Sequence, residues 1–142
     1  MSRPYVPRQL RLKVAEQARN RCGYCLTPES IVGEPMNIEH IIPVSAGGAT
    51  EEDNLWLACW LCNLHKGDRH TAQDLLTSAM TPLFNPRHEE WDEHFDWADE
   101  GVIIVGLTPT GRATLAALKL NRESLVASRR LWVSLGLHPP KD

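Results

Sequence analysis

Leu10, Val14 and Ala18 recur every four residues between Pro7 and Asn20, while Arg8, Arg11, Lys13 and Arg19 occupy much of the intervening surface. This period predicts an amphipathic helix with a basic outer side. Pro28, Gly33 and Pro35 then mark a loop. Met36 to Ile42 reads as a short strand that Pro43 ends, and Ser45 to Asp53 as a polar, glycine-bearing loop. Asn54 to Ala58 can return as a second strand, leading directly into Cys59. Trp60 to about Arg69 is expected to be helical, with Gly67 weakening its end.

The second half carries fewer signals. Leu83-Phe84-Asn85-Pro86 reads as a turn, and Trp91, Phe95 and Trp97 as aromatic anchors. A hairpin is expected from about Glu93 to Leu107, turning at Ala98-Asp99-Glu100-Gly101. Thr108 can cap a helix that starts at Pro109 and runs to Leu120; Asn121 can cap another that runs to Leu135, with Gly136 as terminator. Leu115, Leu118, Leu125 and Trp132 are candidate core residues. The pattern as a whole predicts an α+β fold.

The chain has 142 residues, 42% hydrophobic and 23% charged, which suits one soluble globular domain. It divides into a basic helical segment 1–21, a core 22–70 and a C-terminal extension 71–142. No long apolar run opens the chain and none approaches the roughly 20 residues that span a bilayer. A cytoplasmic protein without membrane contact is expected. The net charge of −3 conceals an uneven distribution: +5 over residues 1–28, −12 over 29–101 and +4 over 102–142. Basic ends could supply phosphate contacts, or could simply be solvated helix faces.

The four cysteines form two pairs, Cys22-Gly-Tyr-Cys25 and Cys59-Trp-Leu-Cys62, with 33 residues between the pairs. Two such knuckles can surround one Zn²⁺ with four thiolates, whereas a redox CxxC would need no second copy. A structural zinc site is expected.

Between the knuckles and just past the second lies IEHIIPVSAGGATEEDNLWLACWLCNLHKGDRH. Glu39-His40, then Asn54 fourteen residues later, then Asn63 nine further on, together with the paired CxxC knuckles, resemble the HNH endonuclease family. The resemblance covers about residues 22–70. It implies a ββα-metal core and a divalent-ion-dependent endonuclease acting on nucleic acid, most readily DNA, with 3′-hydroxyl and 5′-phosphate products. Leu-Phe-Asn-Pro-Arg and Leu-Thr-Pro-Thr-Gly-Arg-Ala-Thr are similar to a C-terminal extension in one bacterial branch of that family.

Chemistry suggests roles within that frame. His40 is the candidate general base, since a neutral imidazole can take a proton from an attacking water at pH 7. Glu39 and Asn63 offer hard oxygens to a catalytic Mg²⁺ or Mn²⁺. The family more often has aspartate before the histidine, so Glu39 departs from the pattern by one methylene. The resemblance gives Asn54 the task of bracing the backbone beside His40, and its amide both donates and accepts. Lys66 and Arg69, with Arg8 and Arg11, are candidate phosphate contacts, although plain surface roles fit them too. His65 would lie about 200° around a helix from Asn63 and His70 within about 20°, so His70 is the better placed alternative ligand. A non-catalytic, zinc-stabilised nucleic-acid-binding module is the competing function.

Overall fold

The computed structural model describes residues 4–141, and its first helix, α1, spans Arg8–Gln17. Pro7 precedes it with extended backbone, and its carbonyl accepts the first helical bond from Arg11 N–H. The helix is shorter than its period suggested because Arg19 and Asn20 take positive φ values of 57° and 55°, which turn the chain away. Its apolar stripe faces inward: Val14 and Ala18 are buried, and Val14 meets Val6 and Leu55, with Leu10 and Ile38 packed alongside.

The chain divides into two compact units. One comprises Met1–His70 with Asn85–His88, the other Thr71–Phe84 with Glu89–Asp142.

In the first unit, a single turn of helix, α2 (Glu29–Val32), follows the first cysteine pair. Strands β1 (Asn37–His40) and β2 (Leu55–Ala58) then pair antiparallel, with Asn37 opposite Ala58 and His40 opposite Leu55. Helix α3 (Trp60–Lys66) follows at once and ends at Gly67, whose φ of 58° breaks it. This is a β-hairpin whose second strand runs into a helix. Strand β1 stops two residues short of the expected Ile42, because the backbone of Ile41 and Ile42 turns to bonds with Asn54 and Lys66. His70 lies beyond the end of α3, so the helical angle that brought it near Asn63 does not apply.

Residues 85–88 also belong to this unit, although only Asn85 and Pro86 of them fell within the turn expected from sequence. Arg87 donates twice to the Leu55 carbonyl, at 3.2 and 3.0 Å, and to Gln17 Oε1 at 2.8 Å, while its guanidinium lies 4.9 Å from the centre of the Trp56 ring.

The second unit contains a hairpin not anticipated from sequence, β3 (Thr71–Gln73) with β4 (Met80–Pro82). The short helix α4 (Trp91–His94) leads into the expected hairpin, β5 (Phe95–Ala98) with β6 (Ile103–Gly106). Helix α5 (Pro109–Ala117) begins as predicted, with Thr108 Oγ1 accepting from Gly111 N–H. Helix α6 spans Glu123–Ser134, but Asn121 does not cap it. The Asn121 amide instead accepts from Ile104 N–H and donates to Ile104 C=O, closing the open edge of β6. Arg129 is fully buried, donating to the carbonyls of Val102 and Leu120 and to Asn121. Although it contributes to the positive charge of residues 102–142, it is therefore not exposed to contact phosphate. Leu118 and Leu125 are buried as expected, whereas Leu115 and Trp132 are half-buried. Among the described residues, no helix is long and apolar enough to cross a membrane.

Candidate metal centre and active site

The thiols of Cys22, Cys25, Cys59 and Cys62 lie within 4.8 Å of one another. The first knuckle is held by backbone: Tyr24 N–H donates to Cys22 Sγ, Leu26 N–H to the Cys22 carbonyl, and Gly23 N–H to the Leu57 carbonyl on β2. Only glycine fits at position 23, since a Cβ there would meet the Trp56 ring at 2.3 Å. Hydrogen bonds within the cluster, that with Cys22 first, pull the Cys25 and Cys59 thiols below their ordinary pKa, whereas burial pushes Cys22 well above it and Cys62 lies above it too. Cys25 Sγ and Cys59 Sγ are 3.8 Å apart. Four sulfurs at about 2.3 Å from a tetrahedral ion are about 3.8 Å from each other, so the cluster has the dimensions and chemistry of a closed zinc site.

His40 ends β1 with its side chain half-buried. Its Nε2 lies 2.9 Å from Thr50 Oγ1, a partner that sequence reasoning missed. A threonine ten residues away in a polar loop carries no periodic signal; only the fold of that loop brings it to the imidazole. Burial pushes the His40 pKa down, and the nearby Lys66 charge adds to the effect, so the ring is neutral at pH 7.

Asn54 grips the chain just past His40. Its side-chain oxygen accepts from Ile42 N–H at 2.9 Å, and its Nδ2 donates to the carbonyls of Ile42 and Ala49, each at 2.9 Å. Gly48 permits this close approach: a Cβ there would come 1.8 Å from the Ile42 carbonyl oxygen and 2.8 Å from Asn54 Nδ2.

Glu39 and Lys66 depart from expectation. Adjacent strand residues face opposite sides, and Glu39 turns inward, only 3% exposed. Its Oε1 accepts a short hydrogen bond from the Tyr24 hydroxyl, and its Oε2 lies 3.2 Å from Lys66 Nζ. Burial pushes its carboxyl pKa up, against the opposing pull of Lys66 and Tyr24. A carboxylate occupied in this way is not presented to a solvent-accessible ion. Lys66 is 2% exposed and donates to the carbonyls of His40 and Ile41 at 3.0 and 2.9 Å. It is therefore an internal strut and not a phosphate contact.

Asn63 lies one turn before Lys66, about 60° around α3, and its half-buried side chain has no hydrogen-bond partner among the described residues. Its amide oxygen is available to a hard cation. His65 is half-buried and His70 exposed. Arg69 folds back to donate to the carbonyls of Lys66 and His65 at the end of α3, although it remains exposed. Arg8 and Arg11 are exposed on α1.

A β-hairpin running into a helix, framed by two cysteine knuckles, defines the class of this core. Residues 22–69 match the family model described as HNH endonuclease. The match covers about a third of the chain, and a domain of this kind suggests a nuclease or nucleic-acid-binding function. No curated protein and no solved structure matches the chain.

Proposed function

We propose that this protein is an endonuclease that hydrolyses phosphodiester bonds in DNA, with His40 as general base and a divalent ion, Mg²⁺ or Mn²⁺, held through Asn63. The observation that carries this reading is the His40 imidazole: neutral at pH 7, held through one nitrogen by Thr50, and followed by backbone that Asn54 clamps. With Nε2–H donating to Thr50, Nδ1 is the nitrogen that takes the proton from the attacking water. Asn63 would hold such an ion through its amide oxygen, a hard ligand of the kind that Mg²⁺ and Mn²⁺ favour. The chemistry such an ion would supply when bound is neutralisation of charge at the phosphoryl group and the leaving oxygen. Glu39 has no place among the ligands in this reading, because its carboxylate serves Tyr24 and Lys66. The closed cysteine cluster keeps no open position for water and holds structural zinc. Exposed Arg8, Arg11 and Arg69 are the phosphate contacts proposed for the DNA backbone.

The test is cleavage of supercoiled plasmid, linear duplex, single-stranded DNA and RNA by purified protein with Mg²⁺ or Mn²⁺. Nicking of DNA that brief EDTA treatment abolishes and added ion restores is expected, with Asn63→Ala needing more ion. Binding without cutting on every substrate would leave only the nucleic-acid-binding module. Normal cutting by Asn63→Ala at low ion concentration would remove Asn63 as ligand.

A further inference from the structure

The backbone from His40 to Ile42 leaves a two-stranded sheet, so one side of it has no strand to bond with. Such groups need partners, because an unpaired buried carbonyl is costly. Ile41 N–H is taken by the Asn54 carbonyl at 2.8 Å, and both polar groups of Ile42 by the Asn54 side chain. The two remaining carbonyls, of His40 and Ile41, are both taken by Lys66 Nζ, reaching over from α3. An ammonium has three donors, and the third is directed at Glu39. Glu39 in turn is held by Tyr24, one of the two residues between the first two cysteines. The chain of contacts therefore runs from the zinc knuckle through Glu39 and Lys66 to the carbonyl of the proposed base.

We propose that the buried Glu39–Lys66 pair is a positioning device for the nuclease site: Lys66 fixes the backbone that carries His40, and Glu39 holds Lys66 in place. This rests on the proposed function, and it gives Lys66 a role in catalysis without contact to substrate. An apolar pair of equal volume would often be as stable as a buried ion pair, but it would offer no donor to the His40 and Ile41 carbonyls. Removing only one partner confounds fold with function, because the other charge stays buried and unpaired. The informative variant is the neutral double, Glu39→Gln with Lys66→Met.

The full-length, zinc-loaded protein is compared with Lys66→Met, Glu39→Gln and the double variant on supercoiled plasmid. Melting temperature, zinc content, DNA affinity, kcat and the ion concentration for half-maximal rate are measured, together with the ¹⁵N imidazole resonances of His40. Lys66→Met should melt at a lower temperature, and the double variant should recover much of that loss while keeping its zinc and DNA affinity. Its kcat should nevertheless fall by about 10- to 100-fold, the scale expected when a reacting group is displaced by a fraction of an ångström to an ångström. The His40 resonances should shift or broaden. Glu39→Gln, whose one amide oxygen can still accept from Lys66 while its NH2 donates to the Tyr24 hydroxyl, should lose less rate than the double variant.

Wild-type kcat in the double variant would reduce Lys66 to a fold residue and overturn the proposal. Full kcat at saturating ion with a raised ion requirement would overturn it differently, by making Glu39 a ligand. If the double variant does not fold, Glu39→Gln decides: a loss as deep as that of His40→Ala at unchanged melting temperature overturns the proposal, and a shallow loss supports it. If the wild-type protein cuts nothing, the nuclease reading fails by itself. The His40 resonances still test the positioning then, and an unchanged imidazole in the double variant would refute it.

Discussion

Tyr24, between the first two cysteines, donates a hydrogen bond to the carboxylate of Glu39, the residue next to His40. The metal centre and the proposed base therefore share one buried contact. Loss of the knuckle geometry would displace the Tyr24 hydroxyl and leave Glu39 with Lys66 alone.

Zinc should accordingly be inseparable from folding of the first unit. Elemental analysis should give about one zinc per chain, and Cys59→Ser should unfold or aggregate the protein, since a structural zinc can contribute about 10 kcal/mol or more to small metal-stabilised folds. A cooperative, unchanged melting transition in zinc-free protein would contradict this.

His40→Ala should abolish cleavage while leaving the melting temperature and DNA affinity near those of the unaltered protein. The pH dependence follows from the downward shift of His40. The folded ring resists protonation more than an ordinary histidine of pKa about 6.5, so the acid limb of kcat/KM should fall below pH 6.5. Stability should decline in the same window, as pH drops from about 6.5 toward the depressed value, because there the unfolded chain binds the proton and the folded one does not. An acid limb above pH 6.5 would argue against His40 as the titrating base.

Thr50→Val should lower kcat by roughly tenfold, corresponding to about 1.4 kcal/mol of lost orientation, with DNA affinity preserved. Thr50→Ser keeps the hydroxyl and should restore most of the rate. Equal losses in the two variants would mean that packing, and not the bond to His40 Nε2, is what Thr50 provides.

The loop after His40 should tolerate little change. Gly48→Ala places a methyl against the Ile42 carbonyl and Asn54 amide, with backbone on one side that cannot yield cheaply. Asn54→Ala strips three hydrogen bonds and should cost about 1–3 kcal/mol in chemical denaturation. Both should depress kcat more than DNA affinity. A Gly48→Ala protein with unaltered melting and rate would show that the loop can relax.

Charge reversal at Arg8 and Arg11 should weaken duplex binding and flatten its dependence on salt, because fewer counterions are released. Arg129→Glu should instead destabilise the second unit, since that side chain is buried among carbonyls. Binding measured against salt concentration separates the two effects; indifference to salt and to reversal at α1 would refute the proposed basic contact surface.

The order of local events was legible in the chain itself. Period-four spacing marks α1, Gly67 ends α3, and Thr108-Pro109 starts α5, because each depends on backbone preferences within a few residues. The two CxxC pairs announced a metal centre for the same reason: ligand spacing is a local property. What a side chain faces is not local. Glu39 and Lys66 have the composition of an ion ligand and a phosphate contact, and only the packing of α3 on the hairpin turns them into a buried pair. Thr50, Arg87 and Asn121 find His40, Leu55 and Ile104 over separations of ten or more residues along the chain, where no periodicity constrains the approach. The sequence by itself determined the elements, the cysteine knuckles and the histidine at the end of β1. The tertiary structure decided which charged groups reach solvent and which are buried to hold backbone, because burial is set by everything packed around a residue and not by its neighbours in the chain.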